Sequence, residues 1–222
     1  MRVDIAKGIL EKNDSLAVEN RRLFAENGVF VVDLMASPGA GKTSTILATI
    51  AALRDRYRIA VIEGDIASRV DAEKISAHGI PAVQINTGGA CHLESDMIRR
   101  AVAALDLAEL DLLIIENVGN LVCPTDFDLG ENAKVMILSV PEGHDKPQKY
   151  PNIFQVAEAV ILNKYDTLGF FDFDEADFRG VVTSLNPTAP IFPMAATKGD
   201  GVGAWAQWLA ARIEAAKTEA SA

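Results

Sequence analysis

Short runs of β-branched and aliphatic residues recur along the chain, each about one strand long: VFVVDLM (29–35), RIAVIEG (58–64), AVQIN (82–86), DLLIIEN (111–117), AKVMILSV (133–140), EAVILN (158–163) and IFPM (191–194). They are apolar at successive positions, the pattern of strands buried on both faces of a parallel sheet. Helical periodicity fills the gaps at 42–54, 68–78, 93–106, 149–157, 174–184 and 201–217. Strands alternating with helices predict an α/β, doubly wound domain, a mainly parallel seven-stranded sheet flanked by helices. Ile5, Ile9, Leu16, Leu23 and Phe24 place an apolar stripe on a leading helix over 3–26. The expected division is 1–27 as an N-terminal helix packing on the domain or on a partner, 28–214 as the α/β domain, and 215–222 as an alanine-rich disordered tail.

Composition narrows the partners. A chain of 222 residues supports one domain with a full core. Its net charge of -10 argues against a broad basic surface for nucleic acid. No segment approaches about twenty uninterrupted apolar residues, so no membrane span is expected. The two cysteines fall short of a disulfide framework, and no long apolar run follows the start MRVDIAKGILEKNDS. Both features predict a reducing, cytoplasmic setting.

In an open parallel sheet, ligands gather at the carboxyl ends of the strands, and the polar motifs lie there. After the first strand comes Ala36-Ser-Pro-Gly-Ala-Gly-Lys42-Thr43-Ser44, a P-loop whose first glycine is replaced by Ala36. Gly39, Ala40 and Gly41 are expected to turn backbone N–H groups toward phosphate oxygens, with Lys42 reaching the β and γ phosphates and the Thr43 hydroxyl holding Mg²⁺. Asp65 ends the second strand and Glu116 the fourth. Each is placed to bind the metal or orient an attacking water. The alternative for Asp65 is a helix N-cap.

The sixth strand runs into Asn163-Lys164-Tyr165-Asp166. The Asp166 carboxylate can accept two hydrogen bonds from guanine N1–H and the exocyclic amine, a pair of donors that adenine does not offer. Asn163 can meet the other edge of the base or brace the loop, and the Lys164 stem can lie along its face. Ala195-Ala196-Thr197-Lys198-Gly199 follows the last strand and resembles the loop by which GTPases offer a backbone N–H to guanine O6. In this order the motifs predict a Mg²⁺-dependent GTPase with Lys42, Asp65 and Glu116 as its catalytic groups.

A second chemistry sits beside the first. Cys91 and His92 follow the third strand, and Cys123 lies in the loop after Glu116. Two thiolates and an imidazole suit Zn²⁺ or Ni²⁺, and a twofold dimer could complete the coordination from both subunits. Buried thiols and a helix-capping histidine are the alternative. Leu168, Phe170, Phe171 and Phe173 form an apolar stretch suited to a dimer contact or to packing under the last helix. Lys146 and Lys149 are candidates for a phosphate or an acidic partner, or for a solvated loop; His144 is expected at the surface, and His78 at a helix end.

Gly-Ala-Cys-His-Leu-Glu (89–94), Glu-Asn-Val-Gly-Asn-Leu-Val-Cys-Pro (116–124), Asp-Lys-Pro-Gln-Lys-Tyr-Pro (145–151) and Asn-Lys-Tyr-Asp (163–166) together resemble the HypB family of hydrogenase nickel-incorporation GTPases, members of the SIMIBI class of P-loop proteins. The resemblance covers roughly 10–210. It implies a GTP-hydrolysing metallochaperone that dimerises with nucleotide and delivers nickel to the large subunit of [NiFe]-hydrogenase beside a small zinc-containing nickel-binding maturation protein. It assigns the metal site to Cys91, His92 and Cys123, and the nucleotide site to Gly39–Thr43, Asp65, Glu116 and Asn163–Asp166. Some relatives carry an N-terminal Cys-x-x-Cys-Gly-Cys motif or a histidine-rich tract; this sequence has neither before residue 78, which implies transfer through the internal site. The rivals are a related GTPase serving urease or cobalamin enzymes, and a metal-storing module with a vestigial nucleotide pocket.

Overall fold

The structure, a computed structural model, describes residues 5–65 and 75–220. Most of the helix expected over 68–78 lies outside those residues. All seven expected strands form: β1 (Phe30–Ala36), β2 (Ile59–Asp65), β3 (Ala82–Asn86), β4 (Leu112–Glu116), β5 (Ala133–Ser139), β6 (Ala159–Asn163) and β7 (Ile191–Pro193). They make one sheet in the order β3, β2, β4, β1, β5, β6, β7. Every pairing is parallel, so the sheet expected to be mainly parallel is wholly so.

Successive side chains of a strand point to opposite faces, so each apolar run supplies two cores. Val32, Leu34, Val61, Ile114 and Ile137 face α2 (Lys42–Leu53) and α7 (Val202–Ala220). Trp205 is buried there, its indole Nε1 donating to Thr49 Oγ1 at 2.8 Å. On the other face, Val31, Ile62, Leu113 and Ile115 pack with Phe24 of α1 (Ile5–Glu26) and Ile98 of α3 (Ser95–Val102). Met136, Leu138, Val160 and Leu162 pack with α5 (Pro151–Val156) and α6 (Glu175–Leu185).

Helix α1 docks on its own domain, through polar groups as well as Leu23 and Phe24. Asn20 Nδ2 donates to the carbonyls of Ser95 and Leu129 at 2.9 and 3.2 Å, and Asn13 Oδ1 accepts from Ser95 N at 2.8 Å. Both asparagines are buried, and the backbone groups they meet offset part of the loss of water. The helix expected over 149–157 is instead two: α4 (Lys146–Lys149), then a break at Tyr150, then α5. Pro151 excludes Tyr150 from the helical region, and Tyr150 sits at φ -131°, ψ 60°. Helix α3 is shorter than its expected 93–106. Helix α7 runs on to Ala220, so most of the segment expected to lack structure is helical; Lys217 near its end bonds Asp111 Oδ1 at 2.9 Å. Among the described residues no helix is long and apolar enough to cross a membrane.

Candidate nucleotide and metal sites

Between the end of β1 at Ala36 and the start of α2 at Lys42 the chain must reverse. Gly39 and Gly41 take φ values of 80° and 98°, where L side chains are strained. Gly41 is also closely packed, since a Cβ there would run into the amide of buried Asn163. Ala36, standing where the usual P-loop has glycine, is the last residue of β1 and pairs with Ile137, so ordinary strand geometry accommodates its methyl. No side chain caps α2 at Gly41. The positive end of the helix therefore borders a cavity of about 430 Å³ lined by Lys42, Thr43, Ser44, Asp65 and Glu116.

The acids arrive from neighbouring strands. Glu116 is buried at the end of β4, its Oε1 accepting from Thr43 Oγ1 at 3.2 Å. Asp65 ends β2 on the same cavity. A hydroxyl and two carboxylates form an oxygen donor set that fits a hard divalent cation beside phosphates. The N-cap alternative for Asp65 concerns residues 66–70, outside the described residues. Sequence reasoning missed Glu63, which is buried, lines the same cavity and pairs in register with Glu116 across β2 and β4. Its signal was an acid inside an otherwise apolar strand.

At the other end of the cradle, Asn163 is 2 % exposed and braces two loops. Its Nδ2 donates to Ala40 O at 3.0 Å and its Oδ1 accepts from Ala196 N at 3.2 Å. Of the two roles open to it, the geometry matches the brace. It thereby engages one backbone N–H of the 195–199 turn. Lys164, at φ 54°, donates from Nζ to Gly39 O at 2.8 Å, which tethers the 163–166 loop to the P-loop. Asp166 pairs with Lys198 at 2.9 Å, and Thr197 lies in the same turn after β7. Ser37, inside the P-loop, donates to Glu142, whose other oxygen accepts from Ser139 N and Oγ at 2.7 Å each.

The thiols come together. Cys91 Sγ lies 3.0 Å from Cys123 Sγ and 3.7 Å from His92 Nδ1. All three residues offer donor atoms within 4.8 Å of one another, a soft N/S set that fits Zn²⁺ or Ni²⁺. The His92 ring stacks on Phe127 at 3.8 Å, which fixes its plane, and Nε2 is 3.5 Å from Glu94 Oε1. The bond from Cys91, with burial second, pushes the Cys123 thiol pKa above its ordinary value.

The remaining candidates divide. Leu168 and Phe173 pack against the core, whereas Phe170 is 86 % and Phe171 46 % exposed. Lys146 donates to Glu142 O at 2.6 Å and Lys149 pairs with Asp145, so both lysines fold back on their own loop. His144, expected at the surface, is half-buried: its Nδ1 accepts from Asp174 N at 3.1 Å and its ring meets the edge of Phe173. His78 is exposed in the turn leading to Gly79.

With this geometry in place, the likenesses to known proteins agree. Residues 30–193 match the model of the CobW/HypB/UreG nucleotide-binding domain. The hydrogenase maturation factor HypB of Azotobacter vinelandii is 48 % identical over 226 residues, covering 98 % of this chain and 75 % of that protein. The hydrogenase/urease maturation factor HypB of Helicobacter hepaticus is 42 % identical over 194 residues, covering 86 % and 79 %. The crystal structure of HypB from Helicobacter pylori in complex with nickel superposes with a TM-score of 0.87 at 40 % identity, covering 91 % of this chain and 95 % of that one.

Proposed function

We propose GTP-driven nickel delivery as the function of this chain, which belongs to the HypB hydrogenase maturation factors of the CobW/HypB/UreG nucleotide-binding family. One observation carries the reading: the end of β4 and the loop after it reach both sites, with Glu116 against the P-loop hydroxyl of Thr43 and Cys123 against Cys91. GTP binds with its phosphates over Gly39–Ser44 and its base toward Asp166 and the 195–199 turn. Water attacks the γ-phosphorus, the bond to the β–γ bridging oxygen breaks, and GDP and phosphate leave. Lys42 stabilises charge on the transferring group, while Asp65 and Glu116 orient the water. Thr43, Asp65 and Glu116 would hold Mg²⁺, which when bound neutralises phosphate charge.

Nickel is the cargo, taken by Cys91, His92 and Cys123. The γ-phosphate, met at Asp65, biases the loops after β3 and β4 that carry Cys91 and Cys123 toward the arrangement that binds metal, and its loss relaxes them. The exposed Phe170 and Phe171 supply a contact for a second copy, whose own cysteines and histidine would complete the coordination across a twofold axis. A small zinc-containing nickel-binding maturation protein collaborates in the transfer, and the hydrogenase large subunit receives the metal. A reducing, cytoplasmic setting belongs to the same reading, because the two thiols must stay reduced to act as ligands.

Paired equilibrium titrations test the switch. If a non-hydrolysable GTP analogue tightens nickel binding by some factor, nickel must tighten analogue binding by the same factor. Absence of any mutual effect would end the switch and leave two separate sites. Lys42→Ala is expected to abolish GTP turnover; a wild-type protein without turnover in Mg²⁺ would point instead to a metal-storing module. The name of the Helicobacter hepaticus relative favours a second client, urease, and retention of urease components in a pull-down would support it.

A further inference from the structure

The three metal donors sit on loops at the surface, yet their backbones are held from beneath by two asparagines on the loop that follows β4. The pleat explains the first. Glu116 shares a face with Leu112 and Ile114, toward α2 and Thr43. Asn117, one residue on, turns to the opposite face, where β3 delivers the Cys91–Leu93 segment. Asn117 is 1 % exposed. Its Oδ1 accepts from Leu93 N at 3.2 Å and from Val118 N at 2.9 Å, while its Nδ2 donates to both carboxylate oxygens of buried Asp33 at 3.1 Å.

The second asparagine grips the other side. Asn120 N donates to Ala36 O at 2.8 Å, which ties the loop to the start of the P-loop. Its Nδ2 donates to Cys91 O at 3.2 Å and its Oδ1 accepts from Val122 N at 2.8 Å, next to Cys123. Between the two, Gly119 passes so close to Pro38 that a Cβ would lie 2.9 Å from its nitrogen. Lys134 anchors the far end of the loop, donating from Nζ to Phe127 O at 2.8 Å and Pro124 O at 3.2 Å while pairing with Glu131 at 3.0 Å and Asp33 at 3.4 Å.

We propose that Asn117 and Asn120 are positioning residues: together they clasp the backbone on either side of His92, at Cys91 O and Leu93 N, and fix the three metal donors relative to the strand end that carries Glu116. Neither amide contacts nucleotide or touches the cargo in this role; each sets where a ligand-bearing backbone lies. The inference rests on the nickel reading of the cluster. It adds a route by which displacement at Glu116 or Pro38 reaches Cys91, because both lie on the chain segments that the asparagines tie together.

The test uses the whole chain, with Ni²⁺ as probe, and compares wild type with Asn117→Ala and Asn120→Ala. Equilibrium nickel titrations and the thiolate-to-nickel charge-transfer spectrum are recorded without nucleotide, then with GDP and with a non-hydrolysable GTP analogue. Both variants are expected to weaken nickel binding about tenfold or more, as loss of groups that orient ligands does, and to shift the charge-transfer bands. Any effect of nucleotide on nickel affinity in wild type should shrink in both. Asn117→Ala leaves Asp33 without its amide donor and is expected to melt lower, so Asn120→Ala, whose side chain is near the surface, is the deciding variant. Wild-type affinity and spectrum in Asn120→Ala overturn the clasp, as does a nickel defect confined to Asn117→Ala and matched by its loss of stability. A wild-type protein indifferent to nucleotide would end the switch reading, while the nucleotide-free arm still decides the clasp.

Discussion

The phosphate cradle and the thiol cluster are neighbours at the same edge of the sheet, but they are built from different materials. The cradle is backbone: two glycines at positive φ, a bare helix N-terminus, and strand-end acids fixed by the pleat. The cluster is side chains on loops, with Cys91 exposed and Cys123 half-buried, and its geometry depends on amide clasps from distant positions in the chain. A backbone site is pre-shaped whether or not ligand is present, whereas a loop site can be reset by moving the loop. That difference suits the proposed switch, in which a fixed nucleotide site would reset a movable metal site.

The largest expected effect attacks the cradle. In Gly41→Ala the methyl would meet Asn163 in a left-handed conformation, so the substitution should cost about 1–3 kcal/mol of stability. It should also weaken GDP binding by about two orders of magnitude, equivalent to about 3 kcal/mol. Chemical denaturation and GDP titration check both; an unchanged midpoint would mean that the cradle is softer than its packing implies. The next effect attacks the cluster. Cys123→Ala removes one of three donors and should weaken nickel binding about tenfold to a hundredfold. Its midpoint should move by less than about 1 kcal/mol, because the thiol is only half-buried. A large loss of stability in Cys123→Ala would break the contrast between the two sites.

The same difference governs what could be read from the sequence. Gly39 to Thr43 are contiguous, and their meaning follows from a strand before and a helix after; all seven strands are legible locally too, as near-continuous apolar runs. The approach of Cys91 to Cys123 could be inferred only as proximity of two strand-end loops, since nothing local states a 3.0 Å contact. Asn117, Asn120 and Lys134 were invisible as parts of the cluster, because each acts through a hydrogen bond that spans many residues of chain. Glu63 is legible in its strand, an acid directly after the apolar run Ile59–Ile62. The break at Tyr150 was missed by following periodicity past a proline that forbids it.

The smallest expected effect comes from the far end of the strand that bears Glu116, and it serves as the control for both sites. Asp111, just before β4, accepts from Arg58 N at 2.9 Å and Arg58 Nε at 3.1 Å, and from Lys217 Nζ at 2.9 Å. Burial works to raise its pKa, but the hydrogen bonds from Arg58 and Lys217 outweigh it and hold the carboxyl well below the usual carboxylate range. A group whose pKa is depressed by folding stabilises the folded state above its unfolded value, about 3.9, and loses that contribution as pH falls toward the folded value. Asp111→Asn should therefore lower stability by roughly 1 kcal/mol at pH 7, since the ion pairs are partly solvated. The gap between variant and wild type should narrow as the pH is taken below about 4. Denaturation midpoints at pH 7 and pH 3 measure it. A nickel or GDP affinity altered in Asp111→Asn would show that β4 transmits strain along its length, and would erase the separation between a rigid sheet and movable loops on which the contrast of the two sites depends.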